Sequence, residues 1–81
     1  MNNFKIERWM EFEKYLLVYI SYDDGNDYVM IFKDTTIGDI QLSEFLSPNF
    51  KECPFNLMAL LIPDKDGWEL GRNVCKVLDG F

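Results

Sequence analysis

The sequence predicts a small α+β domain that spans residues 1–81, in which an antiparallel sheet packs against one or two short helices. At 48% hydrophobic, the chain is too apolar to be disordered. Eight of its thirteen aromatic residues fall between Phe4 and Phe32, and aromatic enrichment favours strands. Alanine is the best helix former, yet it occurs only once, at Ala59, which argues against a helical bundle.

The first predicted strands cover residues 4–22, where apolar residues recur at every second position. Eight of the ten even-numbered positions from Phe4 to Tyr22 are apolar, which is the alternation of a strand. A helix over the same residues would place Glu13 within its apolar stripe, so strands are the preferred interpretation. Because nineteen residues exceed the usual length of a strand, we expect a bend or turn near Glu11–Lys14.

Residues 23–26, Asp-Asp-Gly-Asn, predict a β-hairpin, because Asp-Gly tolerates the positive φ angles of a tight turn. With Asp24 and Gly25 at the tip, the expected pairs are Ile20 with Val29 and Val18 with Ile31 on one face, and Tyr19 with Met30 and Leu17 with Phe32 on the other. Both faces of the hairpin are then apolar at its centre. One face is expected to pack on a helix, and the other on more of this chain or on a partner.

The segment after Lys33 predicts a short helix. Thr36, followed three residues later by Asp39, resembles a capping box with Asp in place of Glu. The apolar spacing fits a helix of about two turns, with the stripe Ile37, Ile40, Leu42, Phe45 and Leu46. Ser47-Pro48 ends this helix, because the residue before a proline avoids the helical conformation.

The rest of the chain predicts a strand near residues 55–62 and a final element over residues 68–79. Phe55–Ile62 is almost continuously apolar, which is typical of a central strand buried on both faces, with a buried helical turn as the alternative. Residues 63–67 predict a turn and residues 68–70 a short returning strand. From Leu70 onwards the apolar spacing fits a helix capped by Gly80, and strand alternation fits almost as well.

The residue types argue against catalysis and against a metal or cofactor. The chain has no histidine, so the commonest general base and metal ligand is absent. Its three serines lie outside any nucleophile-elbow motif. Cys53 and Cys75 are too few for a structural zinc site, and the Asp64–Gly67 turn departs from a calcium-binding loop at the positions that follow it. We therefore expect no catalytic residue, no metal and no cofactor.

The N-terminal residues and the two cysteines both indicate a cytoplasmic protein. Residues 1–5 lack the basic start and apolar run of a signal peptide, and no apolar run is long enough to span a bilayer. We expect Cys53 and Cys75 to be free thiols that pack as small hydrophobic side chains, with a single disulfide as the alternative.

The net charge of −6 is spread along the chain without a basic cluster. Direct binding of nucleic acid requires clustered Lys and Arg, so it is not expected. The acidity has two interpretations. It keeps the protein soluble, or it directs the fold to a basic protein surface such as the active site of a nuclease.

One set of side chains is a candidate partner-binding face. If the alternation of the first strands holds, six residues share its odd-numbered side: Glu7, Trp9, Glu11, Glu13, Tyr15 and Tyr19. Tyr and Trp anchor protein interfaces, and adjacent carboxylates steer a basic partner. The alternative is that a helix covers the aromatic residues and the glutamates form a solvated edge. A turn near Glu13 would also interrupt the alternation.

These features favour an acidic protein-binding domain over an enzyme. The leading hypothesis is an inhibitor or immunity protein that neutralises a basic toxin, such as a nuclease, by occluding it. The alternatives are a phage- or plasmid-encoded inhibitor of a host defence factor, and a structural module that forms a homodimer through the second apolar face of the hairpin.

Overall fold

A computed structural model describes residues 3–63 and 67–78. The elements in chain order are β1 (Phe4–Phe12), β2 (Tyr15–Tyr22), β3 (Asp27–Lys33), α1 (Ile37–Gln41), β4 (Leu57–Leu61) and α2 (Gly67–Leu78). The strands form one sheet with the order β1-β2-β3-β4, and each strand is antiparallel to its neighbours. The predicted α+β fold, a small antiparallel sheet with two short helices, is confirmed.

A two-residue turn at Glu13 and Lys14 separates β1 from β2, which confirms the turn predicted near Glu11–Lys14. Phe12 pairs with Tyr15 across it. Glu13 has a φ of 54°, a left-handed conformation that costs a non-glycine residue about 1–2 kcal/mol. The chain therefore reverses direction here at the expense of backbone strain.

The hairpin between β2 and β3 lies where it was predicted, but its register differs by one residue. The observed pairs are Leu17 with Ile31, Val18 with Met30, Tyr19 with Val29 and Ile20 with Tyr28. Each β2 residue thus faces a β3 residue one position earlier than expected, and the predicted pairs are wrong.

The length of the hairpin loop explains this register. The Tyr22 N–H donates to the Asn26 carbonyl at 2.9 Å, which leaves a loop of three residues where two were expected. Gly25 takes a φ of 90°, and the Asn26 N–H donates to the Asp24 carboxylate at 2.9 Å. A left-handed residue at the last loop position is typical of three-residue hairpins. The Asp-Gly pair therefore predicted the turn correctly but not its length.

A β-bulge interrupts β1 at Glu7. Ile6 pairs with Ile20, whereas Arg8 pairs with Tyr19, so one extra residue is accommodated between them. Such a residue moves every later side chain of the strand to the opposite face of the sheet. The alternation that predicted β1 therefore assigns side chains to the correct face before the bulge and to the opposite face after it.

The two sides of the sheet are here termed the α1 face and the α2 face, after the helix that covers each. The α1 face buries seven side chains of the sheet together with Ile40 and Leu46: Leu16, Val18, Ile20, Tyr22, Met30, Phe32 and Leu57. The α2 face buries four side chains beneath Cys75: Tyr15, Leu17, Val29 and Ile31. Both faces of the hairpin are apolar, as predicted, and this chain covers both of them. The hairpin consequently offers no uncovered apolar face to a second copy.

Helix α1 begins as predicted but ends early. Its capping box is present, since the Asp39 N–H donates to Thr36 Oγ1 at 3.2 Å and the Thr36 N–H donates to Asp39 Oδ2 at 2.9 Å. The helix stops at Gln41 and does not reach Leu46. Ser43 favours a local turn, in which its side chain replaces helical hydrogen bonds to the backbone.

Strand β4 is confirmed, but the expectation of a central strand buried on both faces is wrong. Among the described residues β4 has β3 as its only neighbour, so it lies at the edge of the sheet. The side chains from Met58 to Leu61 are half-buried. An apolar run predicts burial, but it does not reveal which strand is the last of a sheet.

Helix α2 begins at Gly67, so the short strand predicted at 68–70 is wrong and the helical interpretation of the following residues is confirmed. Gly71 faces the sheet, where a Cβ atom would lie 2.8 Å from Leu17 Cδ1 and 3.0 Å from Val29 Cγ1. Glycine weakens a helix, but here it permits close approach to the strands. Most of the predicted turn, residues 64–66, and the predicted cap at Gly80 lie outside the described residues.

Both cysteines are free, as expected. Cys75 is fully buried on the α2 face, and Cys53 packs against the cluster on the α1 face, so the sheet lies between them. Burial raises the pKa of both thiols.

Candidate protein-binding surface

The structure separates the six residues that were predicted to share one face: Glu7, Trp9, Glu11, Glu13, Tyr15 and Tyr19. After the bulge, Trp9 and Glu11 lie on the α1 face, opposite residues of β2 that point the same way. Tyr15 and Tyr19 belong to the α2 face, and Glu13 lies in the turn. The predicted common face was therefore wrong, because alternation alone does not reveal a bulge. A role of these residues in partner binding stays a prediction.

The two tyrosines of this set support the α2 side of the fold. Tyr15 is only 4% exposed, and its hydroxyl donates to the Leu78 carbonyl at 2.7 Å, which holds the last turn of α2 against the sheet. The half-buried Tyr19 donates to Asp27 Oδ2 at 3.2 Å. Burial, this hydrogen bond and the charges of Asp27 and Glu7 raise the pKa of Tyr19. Tyr15 is thus almost completely buried, and its ring is held within the fold.

The bulge also turns Arg8 towards α2. Its guanidinium carbon lies 4.3 Å from the centre of the Trp68 ring, a cation–π contact worth about 0.5–1 kcal/mol at an exposed site. One positive charge of β1 is thereby engaged on the α2 side, away from Trp9 and Glu11.

Exposed apolar side chains concentrate on the α1 side of the molecule. The segment between α1 and β4 packs on the α1 face through Leu46, Cys53 and Phe55. Of the seven large apolar side chains exposed among the described residues, four lie on this side: Trp9, Leu42, Phe45 and Phe50. Four exposed carboxylates accompany them: Glu11, Asp39, Glu44 and Glu52. These eight residues are termed the α1-side surface.

Hydrogen-bonded turns hold the two phenylalanines of this surface. The Phe45 N–H donates to Ser43 Oγ at 3.2 Å. Phe50 follows Asn49, whose side-chain oxygen accepts from the Lys51 N–H at 2.9 Å. Both turns are thus held by hydrogen bonds within this chain.

A buried tyrosine attaches the same segment to the sheet. The hydroxyl of Tyr22 in β2 donates to the Leu46 carbonyl. Burial, together with the neighbouring Cys53, Tyr28 and Asp24, raises the pKa of Tyr22 above its ordinary value of 10.0. The segment that carries Phe45 and Phe50 is therefore fixed to the core as well as folded within itself.

The charges of the two sides differ. Residues 37–56 contain a single base, Lys51, against Asp39, Glu44 and Glu52. Helix α2 has Glu69 paired with Arg72 at 3.2 Å and, in addition, Lys76. Residues 37–56 therefore carry a net negative charge, whereas helix α2 does not.

A shallow depression of about 200 Å³ adjoins this surface, between the β1–β2 turn and the start of α1. Three of its lining residues are acidic: Glu11, Glu13 and Asp34. The others are Lys14, Tyr15, Thr35 and Thr36. A concave site with this excess of carboxylates suits a cationic side chain of a partner.

Sequence reasoning missed most of the α1-side surface. It assigned Leu42 and Phe45 to the buried stripe of α1, and it gave Phe50 no role. A signal was available, because Ser43 and the run Ser47-Pro48-Asn49 surround these apolar residues with types that favour loops.

Within residues 3–63 and 67–78, no group of three or more Cys, Asp and Glu side chains could hold a metal ion. No helix in the described part of the chain is long and apolar enough to cross a membrane. Comparison of the chain with family models, with curated proteins and with solved structures finds no match. The α1-side surface is therefore the feature from which we infer a function.

Proposed function

We propose that this protein is a small acidic protein-binding domain that neutralises a basic toxin, such as a nuclease, by occluding it, as an inhibitor or immunity protein does. The observation that carries the proposal is the α1-side surface, where exposed aromatic rings lie among carboxylates on ordered turns. Its proposed binding residues are Trp9, Glu11, Glu44, Phe45, Phe50 and Glu52.

Trp9 is the proposed anchor of this interface. Its side chain is 45% exposed, although it belongs to a strand whose neighbour β2 is buried. Aromatic residues dominate the binding energy of protein interfaces because they bury a large area at a small cost in entropy. Phe45 and Phe50 extend the apolar contact across the segment that covers the α1 face.

The carboxylates supply steering and selectivity. Glu11, Glu44 and Glu52 are exposed, so each contributes little to affinity on its own but adds to a negative field that accelerates encounter with a cationic cleft. Of the six residues predicted from the sequence, the proposal retains Trp9 and Glu11, together with Glu13 as part of the acidic depression.

The first test captures the partner from a lysate of cells that produce the protein, with the full chain immobilised. Trp9→Ala and Val77→Ala are matched variants, because each removes an exposed apolar side chain and Val77 lies on α2. We expect the wild type and Val77→Ala to retain a basic protein that Trp9→Ala loses, since truncating an anchor costs about 2 kcal/mol or more of binding energy.

The second step assays the captured protein for nuclease activity with and without the purified chain. We expect one equivalent of the wild-type chain to abolish the activity and one equivalent of Trp9→Ala to leave most of it. An acidic captured protein, or a captured nuclease whose activity is unchanged by the chain, contradicts the proposal.

A further inference from the structure

The two edges of the sheet differ in chemistry. β1, at one edge, carries a bulge and four charged side chains: Lys5, Glu7, Arg8 and Glu11. Bulges and charges of this kind prevent an edge strand from pairing with another chain. β4, at the other edge, has no charged residue, and it lies within residues 53–63, the longest uncharged run of the chain. β4 also has an irregularity, at Met58, where its register with β3 shifts, so its regular and uncharged part is Ala59–Leu61. The β1 edge is thus protected by charge, and this part of β4 is not.

The exposed edge of β4 is suited to an additional strand. Among the described residues β4 pairs with β3 alone, so N–H and C=O groups of Ala59–Leu61, beyond the shift at Met58, point alternately away from the sheet. Leu60 packs with the α1-face cluster and Leu61 with the α2-face cluster, so the edge is aliphatic on both sides. Ile62, the next residue, is 82% exposed. An incoming strand would complete the ladder and cover these side chains.

We propose that β4 pairs antiparallel with β4 of a second copy of this chain. Two four-stranded sheets then become one continuous sheet about a twofold axis, with the order β1-β2-β3-β4-β4-β3-β2-β1.

The distribution of charge selects a second copy as the occupant. The edge accepts an extended, uncharged strand that is aliphatic on both faces, and β4 is itself such a strand. With a net charge of −6, two copies repel each other over most of their surface. Residues 53–63 are the stretch where two acidic chains meet with the least repulsion.

The protected edge explains why the assembly stops at two. Pairing of β4 with β1 of another copy would repeat without limit and give a fibre. The charges of β1 oppose that arrangement, whereas pairing of two β4 strands through Ala59–Leu61 joins two uncharged edges. The dimer leaves β1, and with it Trp9, at the outer ends of the sheet, so this inference does not depend on the proposed function.

The first test measures the mass of the full chain by sedimentation over a range of micromolar concentrations. We expect a species of twice the 9.6 kDa chain mass that dissociates on dilution. Ile62→Lys is expected to weaken the dimer about tenfold or more, because a charge at the edge loses hydration without gaining a partner. Val77→Lys, which adds the same charge to an exposed aliphatic position on α2, is expected to leave it unchanged.

The second test needs no substitution and reports on the wild-type backbone. Amide hydrogen exchange followed by NMR is expected to show all the amides of residues 59–61 protected in the dimer, and the outward-pointing ones exchanging rapidly after dilution to the monomer. The outward amides of β1 serve as the control, and they should exchange rapidly at both concentrations.

Several results would overturn the inference. A monomer at every concentration would do so, as would a dimer whose outward β4 amides still exchange rapidly, since that dimer uses another surface. Assemblies that grow beyond two copies would contradict the closed pairing. Equal effects of Ile62→Lys and Val77→Lys would show that the edge is not specific.

Discussion

At the scale of single residues, Glu13 has a left-handed backbone conformation, with a φ of 54° that would suit glycine better. We expect Glu13→Gly to raise the free energy of unfolding by about 0.5–1 kcal/mol, because the relief of strain exceeds the entropy that glycine adds to the unfolded chain. Gly25→Ala is the control. Its φ is 90° and no atom lies within 4 Å of the added Cβ, so it should lower stability for conformational reasons alone. Urea denaturation measures both, and a loss of stability in Glu13→Gly would show that its side chain makes a contribution that outweighs the strain.

Buried protons provide a second prediction at this scale. Burial raises the pKa of Tyr22 above 10.0 and the pKa of Cys53 and Cys75 above 9.0. In the unfolded chain these groups return to their ordinary values, so above about pH 9 the unfolded state releases protons that the folded state retains. Stability is therefore complete below that pH and falls as the pH rises further.

The measurement is the midpoint of urea denaturation at several pH values from neutral to alkaline. At neutral pH, the free energy of unfolding of Tyr22→Phe should be lower than that of the wild type by about 1 kcal/mol, because the hydrogen bond to Leu46 is lost. Its urea midpoint should then fall less steeply as the pH rises. A midpoint that stays constant up to about pH 11 would contradict the assignment of these buried groups.

At the scale of secondary-structure elements, the contact of α2 with the sheet depends on Gly71. In Gly71→Ala the new Cβ atom would lie 2.8 Å from Leu17 Cδ1, and Leu17 is fully buried and has little room to move. Overpacking costs about 1–3 kcal/mol, which exceeds the gain of about 1 kcal/mol in helix propensity. We expect a net loss of stability in thermal or urea denaturation. Asn73→Ala, at an exposed position of the same helix, should instead stabilise the protein slightly.

Each element was predictable to the extent that its signal is local. Alternation located β1 and β2, Asp-Gly located the hairpin, and Thr36 with Asp39 located the start of α1. The predicted register of the hairpin was wrong because Asp-Gly permits loops of two or three residues. The two loop lengths differ only in which residues of β2 and β3 they pair. The bulge at Glu7 and the edge position of β4 have no local signature, since both depend on which strands are neighbours.

The same distinction applies to the candidate site. Trp9 and Glu11 were predicted to share one face with Tyr15 and Tyr19, and their separation from these tyrosines follows from one extra residue in β1. Phe45 and Phe50 were not predicted, because apolar residues in a loop resemble a short helical stripe until the helix is seen to end at Gln41.

At the scale of the whole molecule, the two sides and the two edges of the sheet have different surfaces. The α1 side combines aromatic and acidic groups on ordered turns, whereas helix α2 carries a majority of bases. The β1 edge is charged and the β4 edge is not. We propose that a basic protein binds on the α1 side and that self-association uses β4.

The central claim is that a negative, aromatic surface draws this protein to a basic partner. The measurement that tests it most directly is the rate of association with the captured partner, followed by stopped-flow fluorescence as ionic strength is raised. We expect the association rate to fall about tenfold or more between low and physiological salt, with little change in the dissociation rate. Replacing Glu44 and Glu52 by Gln should reduce that dependence. An association rate that does not change with salt would contradict the account.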